Sequence, residues 1–253
     1  YCDDVLNKKV LVIDGDRSKN TSYTFGVSGK GTIADIFKTG EFNIYQTDNP
    51  NIDIIPGDEL FTDEGVDINK ASTKYMEFII WLDSNKEMLD REYDFIIIDT
   101  HNDDSRVTRN LLAATHLIVN VATPDGDSFK AIDALPRMIE GELKPKTIPF
   151  RAKESIVDVD IVVMPNRITF NGVHNPQLTK EFINEIEQLD NYIGLVPEKK
   201  ELRESRLLGQ NIFAYYNSLA PRKKEKLEKF IQHMNDIYAK IAIVAAKKAK
   251  SSQ

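Results

Sequence analysis

Two carboxylates stand where apolar runs end, in positions suited to chemistry with a hard cation. Val10-Leu11-Val12-Ile13 runs into Asp14-Gly15-Asp16 and then Arg17-Ser18-Lys19-Asn20-Thr21, and Phe95-Ile96-Ile97-Ile98 runs into Asp99-Thr100. Mg2+ takes oxygen ligands, gives up its water reluctantly, and is usually held by one or two carboxylates. Two buried strands that each terminate in Asp therefore point to a magnesium and phosphate site, with Asp14 and Asp99 as the metal-facing pair. The alternative is local, since an Asp at such a point also caps the loop or helix that follows it.

The elements that must position this pair are legible as runs. Val10–Ile13, Phe95–Ile98, Leu117–Val121, Ile161–Met164 and Tyr192–Val196 are rich in β-branched residues and do not alternate, the pattern of strands buried on both faces. Ile52-Asp53-Ile54-Ile55 before Pro56-Gly57 reads as one more strand. Helical spacing appears between them, over about residues 69–89, with Tyr75, Phe78, Ile79, Leu82 and Met88, and over about 178–189, with Phe182, Ile183 and Ile186. The clearest helix carries Leu227, Phe230, Ile231, Met234, Ile237, Tyr238 and Ile241 on one face, with Pro221 at its start. Strands alternating with helices predict an α/β fold: a mostly parallel twisted sheet flanked by helices on both faces. Ligands in such folds bind beyond the carboxyl ends of the strands, which is where Asp14 and Asp99 fall.

Composition sets the outer limits. The 253 residues are read as one domain spanning 1–253, with 247–253 as a frayed tail. The single cysteine, Cys2, excludes a disulfide framework within the chain and makes a reducing cytoplasm the expected compartment. No run of about 18 apolar residues predicts a membrane span. A net charge of −7 means that any nucleic-acid contact must come from a local basic patch.

At this point an ordered set of segments resembles a known family. Lys9 to Asp16 followed by Asn20-Thr21 is similar to the second signature of the ParA/MinD group of deviant Walker ATPases, which are P-loop NTPases. Tyr93 to Thr100 resembles the group's Walker B strand, and His116 to Pro124 the strand and exit loop that follow. Val163-Met164-Pro165-Asn166-Arg167 resembles the strand whose Asn-Arg pair faces adenine. Ile193 to Pro197, then Leu202 to Ser205 and Gly209-Gln210, resembles the closing segment of partition ATPases. The family's Gly-rich loop with two lysines has no counterpart. Ser28-Gly29-Lys30-Gly31-Thr32 lacks the required spacing and reads as a surface turn before a helix around Ile33–Phe37. Because the chain opens on Tyr1 rather than Met, the expectation is that a strand, phosphate loop and most of a helix, roughly 30 residues, lie upstream. The alternative is a non-hydrolysing scaffold that has lost the loop.

The resemblance implies an ATPase that uses ATP and Mg2+. Asp14 and Asp99 would orient the ion's water shell. Asp16 would be the catalytic residue that orients the attacking water, and Thr100 would sense the γ-phosphate. Asn166, Arg167 and Pro197 would lie at the nucleotide base, with a plain strand-end turn as the alternative for the Asn-Arg pair. It further implies a homodimer that closes over ATP, binds non-specific DNA on the nucleoid without a membrane, and is stimulated to hydrolyse by a ParB-like centromere-binding partner protein. Arg222, Lys223, Lys224, Lys226 and Lys229 at the start of the last helix are the expected DNA face, against the alternative of a solvated helix. The rival within the family is a MinD-like membrane-associated positioning ATPase, which would end in a short basic, aromatic amphipathic helix.

Overall fold

The computed structural model describes residues 1–68, 75–124, 126–149, 152–169 and 176–251. They form two compact units, one of residues 2–115 with 141–158, the other of Tyr1 with 116–140 and 159–253.

The unit containing the N-terminal half of the chain is built on a four-stranded sheet in the order β2-β3-β1-β4, from β1 (Val10–Gly15), β2 (Tyr45–Gln46), β3 (Ile52–Ile55) and β4 (Phe95–Thr100). β1 is central and parallel to both β3 and β4; only the short β2 is antiparallel. Every residue of β1 is buried, as a β-branched run between two neighbours should be. Around the sheet lie α1 (Asn20–Thr24), α2 (Ile33–Thr39), α3 (Glu77–Ser84), α4 (Lys86–Glu92) and α5 (Arg106–Ala113). Their apolar faces join Leu11, Ile13 and Ile55 in a core where Phe37, Phe61, Phe78 and Trp81 pack ring against ring. The helix expected over residues 69–89 is, where described, two helices. Asn85 separates α3 from α4, its N–H and its side-chain amide both turned back on the Trp81 carbonyl. Residues 69–74 lie outside the described set.

The second unit pairs β5 (Leu117–Ala122) with β6 (Asp160–Pro165) in parallel, with α6 (Gly126–Met138) between them. A π-helical stretch, Ile139–Leu143, and the short α7 (Lys144–Lys146) follow α6 in the chain. Next come α8 (Pro176–Ile186), α9 (Lys200–Leu207), α10 (Ile212–Ser218) and the long α11 (Pro221–Ser251). Leu227, Phe230, Ile231, Met234 and Ile237 are the buried face of α11, as their spacing requires. The parallel sheets with flanking helices are the α/β class that the sequence predicts.

Three expectations are corrected. Tyr192–Val196 is not a ladder strand. It lies along β6, with Ile193 N–H bonded to Val163 and Val196 N–H to Pro165, but the bridges are isolated. Gly194 breaks the pairing at φ 138°, a conformation only glycine adopts readily, and a Cβ there would sit 2.7 Å from Ile237 of α11. The tail does not fray at 247: α11 continues through Ser251, with Lys248 3.3 Å from Asp160. Finally, β4 and β5 are not buried on both faces. Ile96 and Ile97 are 37% and 48% exposed and Val121 is 50% exposed. Each strand stands at the end of its own sheet among the described residues.

Candidate functional site

Parallel pairing of β1 with β4 sets Asp14 opposite Asp99 and Gly15 opposite Thr100. Two adjacent parallel strands thus deliver two carboxylates side by side at their carboxyl ends. The environments differ. Asp14 is wholly buried, and its Oδ2 accepts from the Ser22 N–H at 2.8 Å and the Ser22 hydroxyl at 2.6 Å. Its Oδ1 takes the Asp16 N–H at 3.3 Å. Ser22 is in the first turn of α1, whose N–H groups have no partner within the helix, so Asp14 does act as a cap. The Ser22 hydroxyl in turn accepts from the Gly57 N–H at 2.9 Å. The loop after β3 passes so close that a Cβ on Gly57 would lie 2.9 Å from the Asp14 carboxyl carbon.

Asp99 is partly buried and accepts from the Thr21 hydroxyl at 2.5 Å. Burial pushes its carboxyl above the usual range; the Thr21 bond pulls it back, and the charges of Asp14 and Asp16 push it further up. Asp16 behaves oppositely. Burial raises it, but the Ser18 N–H at 2.7 Å, the Ser18 hydroxyl and His101 together hold the carboxyl below the usual range. Asp16 is therefore an ionised acceptor at neutral pH.

The donor set fits a hydrated hard cation. It is all oxygen, and the charges of Asp14 and Asp16, which add to burial in raising Asp99, are negative charge that a divalent ion would offset. Among the described residues no group of three or more His, Cys, Asp or Glu side chains is disposed to hold a metal, so the fit is to an ion touched by one or two carboxylates rather than to a protein cage. The turn at 28–32 supplies no phosphate cradle. Thr32 begins α2 in a capping box with Asp35 and its hydroxyl bonds Asp58 at 2.9 Å, so acids already occupy that corner. A nearby cleft of about 370 Å³, lined by Lys19, Ser22, Gly57, Asp58 and Glu59, is no better, because Lys19 is already paired with Glu59 at 2.5 Å.

The sign of the Asp99 shift gives an expected result. A folded-state value raised above the ordinary carboxylate value contributes stability at low pH that is lost as pH rises through the raised value. Asp99→Asn keeps an acceptor for Thr21 and removes the repulsion. In metal-free buffer it should stabilise the fold at neutral pH by roughly 0.5 kcal/mol, a partly solvated effect. The gain should shrink as pH falls into the carboxylate range. Urea unfolding at both ends of that window checks it, and a variant less stable at neutral pH contradicts it.

The expected site residues fall into two groups. Asp14, Asp16, Asp99 and Thr100 converge in the first unit. In the second, Asn166, Arg167 and Pro197 meet at the end of β6, where Ile168 N–H bonds Val196 and Ile168 bridges Pro197. Asn166 spends its side-chain oxygen on the Arg167 N–H at 2.8 Å, and Arg167 sits at φ 57°. This is the geometry of a strand-end turn, with Arg167 exposed. Arg222, Lys223, Lys226 and Lys229 are exposed on α11, and Lys224 is half-buried over the Tyr216 ring. Ser22 and Gly57 escaped the sequence reading of the site. Only the proximity of Ser22 to the Asp14-x-Asp16 turn and of Gly57 to the end of β3 hinted at them.

The sequence profile of the AAA domain family matches residues 3–144, more than half of the chain. The chain belongs to the AAA domain family. This AAA-domain protein is 29% identical over 140 residues to a ParA family protein of Chlamydia trachomatis, an alignment covering 53% of each chain, so it spans about half the length of that curated relative. A plasmid partition protein of Borrelia burgdorferi shares its fold, with TM-score 0.60 and 21% identity over 83% of this chain and 86% of the other. So does the septum site-determining protein MinD of Pyrococcus horikoshii, solved with Mg-ADP, with TM-score 0.61 and 21% identity over 96% and 87%. The AAA-domain protein thus has the fold of these partition and septum site-determining proteins.

Proposed function

We propose that this protein is an ATPase of DNA partitioning, acting with ATP and Mg2+. The observation that carries the reading is the in-register pair Asp14 and Asp99, with Asp16 on the turn just beyond. In this reading Asp14 and Asp99 hold the water shell of the ion, which neutralises developing phosphate charge when bound. Asp16, ionised and partly exposed, orients the attacking water and receives its proton. Thr100, opposite Gly15, meets the terminal phosphate. The exposed edge of β4 supports the reading. A further parallel strand pairing along Ile96 and Ile97 would end beside Asp99, where a phosphate-binding loop is needed. We infer that such a strand belongs to the complete single ATPase domain.

Homodimerisation on ATP, retention on non-specific DNA at the nucleoid, and stimulation by a ParB-like partner belong to the same proposal. Arg222, Lys226 and Lys229 recur at helical spacing on α11 and are all exposed, which suits contact with a phosphate backbone. Replacing the three with Ala should weaken ATP-dependent DNA retention and lower its log–log salt slope by about 3. An unchanged slope makes that face merely solvated. The test of the whole is ATP turnover by the natural full-length protein together with ATP-dependent DNA retention; absence of both refutes it. Flotation with liposomes instead of retention on DNA would favour the MinD-like alternative. Among the described residues no helix is long and apolar enough to cross a membrane.

A further inference from the structure

One contact at the site is explained neither by the carboxylate pair nor by the packing. His101 is the first residue after β4, and Asp16 is the first after β1. Because Gly15 pairs with Thr100, the two chains leave the sheet side by side, and His101 Nδ1 comes to 3.2 Å from Asp16 Oδ1. The same oxygen accepts the Ser18 N–H at 2.7 Å. A backbone donor bonded to one carboxylate oxygen and an imidazole nitrogen within ion-pair distance of it thus come from separate loops. A single exposed pair would be worth little, but both partners here are largely sheltered, with side chains 30% and 19% exposed. Two residues on, Asp103 Oδ1 is pinned by the Ser105 hydroxyl and the Thr108 hydroxyl, each at 2.7 Å, at the start of α5. Asp16 is thus braced on one side by its own turn and on the other by a loop anchored to a helix end.

We propose that His101 is a positioning residue, whose Nδ1–H holds Asp16 in the orientation that water activation requires. The role rests on the ATPase reading above and adds to it a residue that the carboxylate pair alone does not call for.

The test has a readout that needs no turnover. Ring 15N spectra of the natural full-length protein, taken where imidazole is neutral, should show His101 as the Nδ1–H tautomer. In Asp16→Ala the ring should revert to the Nε2–H form. For turnover, His101→Ala should lower kcat on the order of tenfold while KM for ATP stays within about twofold, since only orientation is lost. His101→Asn, whose amide can donate from nearly the same point, should recover most of it. Adding His101→Ala to Asp16→Ala should cost nothing more, because the two act as one unit. An Nε2–H tautomer in the wild type overturns the proposal. So does an unchanged kcat in His101→Ala, or a loss that Asn does not repair. A wild type that turns over no ATP overturns the ATPase reading itself, whereas normal wild-type turnover with an indifferent His101→Ala removes only the positioning role.

Discussion

Asp16→Ala is expected to lower ATP turnover by a factor of about 10²–10⁴, the range that removal of a positioned acid–base group costs, while nucleotide binding survives. The separation of the two effects follows from where Asp16 stands. It lies one residue beyond β1, partly exposed, with the Ser18 N–H bonded to one oxygen and the His101 ring beside it. Removing it leaves one backbone N–H and one imidazole free to meet water, so the fold loses little. What is lost is an ionised acceptor kept below the usual carboxylate range by those same donors. An Asn at the same place keeps the shape and cannot take a proton, so Asp16→Asn should be nearly as inactive. Single-turnover phosphate release read beside binding of a fluorescent nucleotide decides it. Normal hydrolysis by Asp16→Ala would remove Asp16 from the reaction and leave the carboxylate pair without a catalytic partner.

The pairing of Asp14 with Asp99 was legible because two properties of the sequence act locally. Uninterrupted β-branched runs select strands, and parallel strands joined by helices present their carboxyl ends together. The face of α11 was legible for the same kind of reason, since a repeat of three and four residues admits one buried stripe. What escaped depends on partners distant in the chain. Nothing around Gly194 says that Ile237 will press against it, so Tyr192–Val196 reads as a strand until α11 is in place. Nothing in Ile96-Ile97 says whether a neighbour covers them, because a run states a capacity for burial and the neighbour decides it. Asn85 looks like one more polar position on a helix, yet its backbone leaves helical geometry at φ −111° and ψ 7° and divides the segment into two helices. At the site itself, Ser22 and Gly57 close around Asp14, and His101 reaches Asp16, through contacts that only the register of β1, β3 and β4 creates.

The choice between cap and metal partner for Asp14 does not have to be exclusive, and two substitutions separate the roles. Asp14→Ala should destabilise the fold by about 3 kcal/mol, because the Ser22 N–H and hydroxyl lose a charged acceptor in a fully buried place. The Ser22 hydroxyl also holds the Gly57 N–H, so the damage should spread to the loop after β3. Asp14→Asn keeps one oxygen that can face Ser22. It then places an amide where Oδ1 took the Asp16 N–H, a contact already long at 3.3 Å, so its cost should be well under half that of Ala. Urea unfolding measures both. If the carboxylate also serves the ion, Asp14→Asn should fold and still lose Mg2+-dependent turnover. A stable Asp14→Asn with wild-type turnover would reduce Asp14 to a cap and leave Asp99 alone to face the metal. We propose both roles for Asp14 because it is buried. A carboxylate with no exposure costs several kcal/mol to desolvate, a helix cap needs only a hydroxyl or an amide, and Ser22 and Asp16 ask for nothing that a neutral acceptor could not give.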